Sequence, residues 1–279
     1  MIGNIAKATL ASAAAMLGVL AAPSVAADTA GVELWRLDCG KIEVGDVDYF
    51  SDSFLYPGEP KTLTDSCYLI RHGDEYLLWD TGMPTSLIGT PLVEGTDTSS
   101  LARTIVDQLA EIDVDPAEIG YVGISHYHYD HTGQAAMFPD ATLLIDRKDW
   151  EVVSTREDLS GQFQPWMDSA GKIEQLRWDK DVFGDGSVVL LRTPGHTPGH
   201  RSLLVRLEGL GPVLLTGDAA HFRENWTRRA VPSFNTSRAE SLASMDRLAD
   251  IAAQMGAVLI IQHEPGDIAK LAAFPASSR

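Results

Sequence analysis

Short apolar runs alternate with Gly-, Pro- and Asp-rich stretches along most of this chain. Residues 32–37, 67–71, 75–79, 121–124, 141–145, 188–192, 202–207, 213–216 and 257–261 read as strands, being brief and bounded by turn residues. His72-Gly73-Asp74 is the turn of a hairpin joining 67–71 to 75–79. Residues 101–111 predict an amphipathic helix and 147–154 another helix. Asp115-Pro116 starts a short helical turn, and 237–255 is the longest helix, capped by Ser237 or Thr236. Residues 40–63 and 83–100 read as long loops, and long loops in compact domains are often functional. The order of elements predicts an α/β chain of the α+β type. Two β-rich halves carry helices outside them, a four-layer αββα sandwich rather than a doubly wound sheet. No linker divides residues 28–279, which read as a single domain, and no repeat of fixed period is present.

Residues 1–27 differ from the rest. Lys7 precedes an apolar segment, 8–22, interrupted only by Thr9 and Ser12, and Val25-Ala26-Ala27 suits cleavage before Asp28. That segment is short for a membrane span, which needs about 20 residues. It predicts a signal peptide, hence an exported protein, periplasmic or secreted, with no stable membrane insertion. Export permits Cys39 and Cys67 to pair; a disulfide and two buried thiols both fit the sequence. The chain holds 22 basic and 39 acidic residues, a formal charge of −17. That balance excludes nucleic acid and anionic membrane as partners, since both require a basic face.

The densest chemistry lies in His126-Tyr127-His128-Tyr129-Asp130-His131, directly after the apolar stretch 119–124. Histidine and aspartate are the usual ligands of borderline metals. Three further ligand types occupy similar places at strand ends: His196, Asp218 and His263. Gly and Pro beside His196 and Asp218 allow sharp turns and close backbone approach. His126, His128 and His196 supply one three-nitrogen site, Asp130, His131 and His263 a second, and Asp218 can bridge. The inventory predicts two divalent metal ions, with Zn²⁺ well suited and Fe, Mn or Co also compatible.

His126-X-His128-X-Asp130-His131 followed by His196, Asp218 and His263 resembles the metallo-β-lactamase superfamily, over nearly all of the chain after residue 27. The resemblance implies an αββα sandwich with metals at one edge. Thr193-Pro194-Gly195-His196-Thr197-Pro198-Gly199-His200 and Thr216-Gly217-Asp218 look like both the acyl-homoserine lactonases and glyoxalase II. Residues 271–279 carry only Arg279, with Lys270 nearby, which is a poor basic patch for glutathione. Asp80-Thr81-Gly82 and residues 218–226 most resemble the lactonases. The implied activity is hydrolysis of lactone rings, N-acyl homoserine lactones above all (quorum quenching), by a metal-bridging hydroxide, with Asp130 and Asp218 handling protons. An exported organophosphate triester hydrolase of the methyl parathion hydrolase type and a thioester or β-lactam hydrolase are the alternatives.

One departure stands out. Lactonases of this kind carry a Tyr three residues after the bridging Asp, and this chain has His221. A histidine can still donate to a developing oxyanion. Phe54, Tyr56, Met83, Trp166, Phe222 and Trp226, with Phe163 and Met167, are the expected acyl-chain pocket, because small-molecule pockets are mostly apolar and aromatic. His200 is expected at a strand start in a structural role, with the orienting of a ligand as the alternative, and His72 in a solvated turn. Tyr127 and Tyr129 are expected to wedge the histidine loop rather than touch substrate. The expected partner is a small lactone or ester, and a homodimer is left open.

Overall fold

The computed structural model describes residues 31–167 and 171–279, with Met1 and Gly3 besides; the expected signal peptide otherwise lies outside the described residues. β1 (Val32–Val44), β2 (Lys61–His72) and β3 (Glu75–Trp79) form an antiparallel meander. β4 (Leu92–Glu94) and β5 (Asp97–Ser100) form a hairpin that pairs with the far half of β1. β6 (Ile119–Gly123), β7 (Thr142–Asp146) and β8 (Ile173–Leu176) continue in parallel from β3. The second sheet holds β9 (Lys180–Asp181), β10 (Val188–Arg192), β11 (Arg201–Leu207), β12 (Gly211–Leu215) and β13 (Val258–Ile260). Its order is β13-β12-β11-β10-β9, with only β12 and β13 parallel.

The helices are α1 (Ile105–Glu111), α2 (Tyr129–Thr132), α3 (Arg147–Val153), α4 (Glu157–Ser160), α5 (Gln164–Met167), α6 (Arg223–Arg228) and α7 (Arg238–Met255). Strand alternation sorts the side chains into four layers. Ile70, Leu77, Trp79 and Leu144 of the first sheet face Leu190, Leu203, Val205, Val213 and Leu215 of the second. Their neighbours Leu69, Leu78, Val122, Leu143 and Ile145 turn the other way, onto Ile105 and Leu109 of α1 and Val153 of α3. Leu191, Leu204 and Leu214 cover the outer face of the second sheet with Leu248, Ile251 and Met255 of α7. The αββα sandwich is therefore observed as expected. Ser237 caps α7 by accepting from the Glu240 N–H.

Four local expectations are corrected. β1 runs on to Val44, through a register shift between Asp38 and Gly40; Gly40, Lys41 and Glu43 interrupt the apolar alternation that marks its first half. Residues 83–100 contain the β4–β5 hairpin, whose exposed and polar side chains give no strand pattern. The helix expected at 101 starts at Ile105, because Thr104 and Asp107 form a capping box. His72 is not merely solvated: its Nε2 lies 2.7 Å from Asp185 and its ring stacks on Phe183, with centroids 4.4 Å apart.

Cys39 and Cys67 form a disulfide between neighbouring strands, closing a separation of 28 residues. In the chain-entropy picture a loop of that size stabilises the folded state by about 3–4 kcal/mol. Chemical denaturation with and without reductant should therefore show a lower midpoint in the reduced protein; coincident curves would remove the disulfide from the stability of the fold.

Candidate metal centre

Each expected ligand follows the C-terminal end of a strand: His126 to His131 follow β6, His196 follows β10, Asp218 follows β12 and His263 follows β13. The strand ends come from both sheets and converge at one edge. Two backbone positions make the approach possible. Gly195 has φ +137°, and a Cβ there would sit 2.3 Å from the Ser241 nitrogen; Gly217 has φ +52°, and its Cβ would sit 2.8 Å from His200 Nε2.

The ligand atoms fall into two groups. His126 Nε2, His128 Nδ1 and His196 Nε2 lie 3.0, 3.1 and 2.9 Å from one another, and Asp218 completes that group. Asp130, His131 and His263 form the second. Asp218 reaches both: Oδ2 is 3.4 Å from His196 Nε2, while Oδ1 is 3.4 Å from His131 Nε2 and 3.1 Å from His263 Nε2. His126, His131, His196, Asp218 and His263 are buried.

The far side of four imidazoles is tied down. His131 Nδ1 donates to Asp80 Oδ2 at 2.9 Å, His263 Nδ1 to the Thr64 carbonyl at 2.8 Å, and His196 Nδ1 to Asn235 Oδ1 at 2.9 Å. Asn235 is oriented by donating its own NH₂ to Ser241 Oγ. His126 Nδ1 lies 3.0 Å from Ser125 Oγ. With those nitrogens engaged, the opposite nitrogens present lone pairs inward. His131 Nε2 and Asp218 Oδ1 are buried with no hydrogen-bond partner. Unpaired buried polar atoms are costly, and a cation between the groups would satisfy them. Histidine nitrogens plus carboxylate oxygens, with four of the five imidazoles held at the far nitrogen, are the donor set of a divalent metal site. The residues of each group fit a divalent metal, and Asp218 reaches both groups.

Electrostatics divide the imidazoles into two sets. Burial and the crowding of neighbouring imidazoles hold His126 and His196 well below the usual histidine range, and burial lowers His128 as well. Burial also opposes charge on His131 and His263, but the carboxylates outweigh it. Asp218, Asp80 and Asp130 raise His131 well above its ordinary value, and Asp218 leads in raising His263 to about 9.

His200 is structural, as expected, but it acts on a ligand. It is buried, and burial lowers it to about 4, so the ring is neutral. Nε2 accepts from the Asp218 N–H at 2.9 Å, and Nδ1 donates to the Thr193 carbonyl at 2.8 Å. Asp149 accepts from Thr197 Oγ1 and the Gly199 N–H, pinning the loop that carries His196 to α3. The buried Arg201–Asp146 pair, at 2.6 Å, holds the next turn, and the Arg201 N–H donates to the Ser125 carbonyl. Glu264 accepts from the Arg223 and Gly266 N–H groups, bracing the segment after His263.

His221 is buried beside the centre, with Nε2 3.2 Å from Asp218 Oδ2, and burial lowers its pKa, so it is neutral. Its ring stacks parallel to His263 and meets Phe50 edge-on at 4.8 Å. His221 lines a cavity of about 270 Å³ that opens over His128, Asp130, His196, Asp218 and His263.

The apolar wall of that cavity is not the one expected. Met83, Tyr56, Trp166 and Phe222 are buried in the cores, with Phe163 and Met167 packed alongside Trp166. Trp226 packs under α7, and Phe54 is 77% exposed at a left-handed backbone position. Large aromatic side chains gain most by burial, and the long loops fold theirs inward. The wall is formed instead by Ile42 of β1, Tyr49, Phe50, Leu63, Leu92 of β4 and Phe234. Tyr129 also lines it, with its hydroxyl 2.7 Å from Ser99 Oγ, so it does more than wedge the loop. Tyr127 packs against the core.

The αββα architecture and the two joined His/Asp groups define a class. The chain belongs to the metallo-beta-lactamase superfamily, whose family pattern matches residues 62–255. Within it, similarity runs to N-acyl homoserine lactonases. The N-acyl homoserine lactonase AttM of Azorhizobium caulinodans is 35% identical over 175 residues, 57% of this chain and 64% of its own length. The chain thus spans just under two thirds of that relative. AttM of Rhizobium johnstonii is 32% identical over 220 residues, 71% of this chain and 81% of its own. Among solved structures, an N-acyl homoserine lactone hydrolase with the product N-hexanoyl-L-homoserine at its catalytic metal centre superposes with a TM-score of 0.75. It is 27% identical, over 88% of this chain and 98% of that one.

Asp80, Asn235 and Thr64 bear directly on the ligands without belonging to the motif. Asp80→Asn is expected to weaken metal affinity about 10–100-fold, because a braced imidazole loses its anionic acceptor. Metal content against a graded chelator checks this; unchanged retention would make the Asp80–His131 contact purely structural.

Proposed function

We propose that the protein is an exported, dinuclear metal-dependent hydrolase that opens N-acyl homoserine lactones. The observation that carries this reading is Asp218 reaching across two His/Asp groups at the floor of a cavity with an apolar wall. The lactonase names of the relatives support the substrate class. His126, His128 and His196 would hold one ion, Asp130, His131 and His263 the other, and Asp218 both; Zn²⁺ suits the set, with Fe, Mn or Co as alternatives. Two such ions supply a hydroxide at neutral pH and polarise an ester carbonyl.

The chain's own residues do the rest. Ile42, Phe50, Leu63, Leu92 and Phe234 exclude water and take up an acyl chain. His221, neutral and beside Asp218, donates a hydrogen bond as negative charge builds on the carbonyl oxygen. Asp130 or Asp218 would take the proton of the attacking hydroxide and pass it to the alkoxide that leaves as the ring opens. The apolar segment 8–22 and the Cys39–Cys67 disulfide support export to the periplasm or beyond.

Lactone opening releases acid, so a pH-indicator assay with acyl-homoserine lactones of several chain lengths tests the proposal directly. Failure on every lactone, with turnover of neutral phosphotriesters, would replace lactonase by triester hydrolase. Asp218→Ala should lose bound metal as well as turnover; two ions retained with full activity would end its bridging role. His221→Phe should lower kcat about 100-fold or more, the range seen when one oxyanion donor is removed, and His221→Tyr should restore part of it. Equal activity in the Phe variant would take His221 out of the reaction. If the leader is processed as proposed, N-terminal sequencing of the exported protein should begin at Asp28; a product retaining Met1 would contradict that.

A further inference from the structure

The cavity over the metal centre has a charge asymmetry that neither the ligand set nor the apolar wall explains. Glu94 and Asp97, on the two arms of the β4–β5 hairpin, line it, and among the described residues no Lys or Arg does. Asp97 accepts from the Tyr49 hydroxyl at 2.7 Å and from the Gly45 N–H at 3.0 Å. Both donors are neutral, so they fix the carboxylate in place without cancelling its charge. Glu94 is exposed, and no ion pair involves either residue among the described residues. The cations on nearby surface are matched elsewhere: Lys41 with Glu43, Lys61 with Glu224 and Arg238 with Asp52. Burial and the Asp97 contact hold the Tyr49 phenol protonated, and burial with Asp130 does the same for Tyr129, so neither hydroxyl adds charge of its own.

Ile42, Phe50, Leu63, Leu92 and Phe234 give this opening low-dielectric walls, which focus the field of the two carboxylates. At the floor the sign is different. Divalent ions held by the ligand groups would attract an anion directly at the centre, and their charge cannot be left out of the balance. The hairpin charges therefore act on a part of the substrate that stays in the opening, away from the reacting carbonyl.

We propose that Glu94 and Asp97 are specificity determinants that admit neutral or cationic esters and reject those carrying a second, remote carboxylate. This rests on the ester-hydrolase reading above and deepens it. Acyl lactones and phosphotriesters are uncharged in their remote part, whereas glutathione thioesters carry remote carboxylates. The hairpin thus separates the substrate classes that the metal ligands treat alike.

The test compares p-nitrophenyl butyrate, its ω-carboxylate analogue and its ω-trimethylammonium analogue on the metal-loaded enzyme. All three share a leaving group and differ chiefly in remote charge, and each ester's enzyme-free rate, raised in the anionic one by attack of its own carboxylate, is subtracted. At low salt the anionic ester should have kcat/KM below about one tenth of the neutral one, with the gap closing as salt rises. Glu94→Gln and Asp97→Asn should each raise the anionic-to-neutral ratio about fivefold, and Glu94→Lys more, since exposed charges at such range act through high dielectric. Glu94 is exposed and unpaired, so its variants carry little folding risk. Equal use of the anionic and neutral esters at low salt, or a ratio unmoved by Glu94→Lys, overturns the proposal.

If no ester or lactone is turned over, the functional reading fails, and the charge inference is then read without catalysis. The rate of metal loss to anionic dipicolinate, relative to neutral 1,10-phenanthroline, should rise in Glu94→Lys. An unchanged ratio overturns the inference on its own.

Discussion

Imidazoles that are buried and point bare nitrogens at one another impose the condition that the rest of this structure serves. His126, His128 and His196 bring three ring nitrogens to within about hydrogen-bonding distance of each other. Three inward nitrogens with their far sides engaged are unfavourable unless a cation sits among the lone pairs. The groups that hold the far nitrogens of His131, His263, His126 and His196 come from separate parts of the chain. Asp80 follows β3, Thr64 lies on β2, Ser125 follows β6 and Asn235 precedes α7. A centre braced from four directions requires both sheets to end at the same edge, and the sandwich meets that requirement.

The packing explains how the edges stay in register. The parallel pairing of β12 with β13 places Asp218 and His263 side by side at adjacent strand ends. His200, at the start of β11, reaches across to hold the Asp218 backbone. Arg201, the next residue, turns the opposite way to Asp146 at the end of β7, so one dipeptide couples the second sheet to the first. A buried ion pair is weak evidence for stability in itself. Its role in this fold is positional, because the Arg201 N–H also fixes the Ser125 carbonyl beside the histidine loop.

Much of this was legible in the sequence. Strand ends were marked by apolar runs that stop at Gly or Pro, and the ligands are the residue types that chemistry requires at those stops. All seven expected ligands are brought together in two groups. The cavity wall was illegible for physical reasons. Ile42 sits past the bulge in β1, where Gly40, Lys41 and Glu43 hide the alternation. Leu92 lies on a three-residue strand whose neighbours are exposed. Phe234 is a single aromatic between Pro232-Ser233 and Asn235, with no periodicity to mark it. Conversely, Tyr56, Trp166 and Phe222 look like loop aromatics in the sequence yet are core residues, because tertiary packing decides where an aromatic in irregular structure points. Asp80 carried a quieter signal, a carboxylate directly after an apolar strand and before Thr81-Gly82, and the fold places it at φ +56°. A strained backbone of that kind persists when surrounding contacts over-determine it, and here those contacts are the Ser125 N–H and His131.

The division between floor and wall follows from the same physics. Metal ligation needs exact distances, so the ligands stand on strand ends locked by hydrogen bonds on both sides. Substrate selection needs only shape and field, so it can be delegated to a short hairpin attached to one half of β1. The net charge of −17 takes on local meaning in that light. Spread over the surface it argues against anionic partners; at Glu94 and Asp97, which no ion pair among the described residues includes, it would act within a class, on the remote charge by which esters of the same reactivity can differ. A chain that keeps every ligand and changes only the hairpin can therefore change its substrates without touching its chemistry. His221 marks the boundary between the two regions: it contacts the bridging Asp218 on one side and the aromatic wall of Phe50 and Phe234 on the other. A histidine there is both a hydrogen-bonding group beside Asp218 and part of the wall, so on the proposed reading chemistry and specificity meet at this one position.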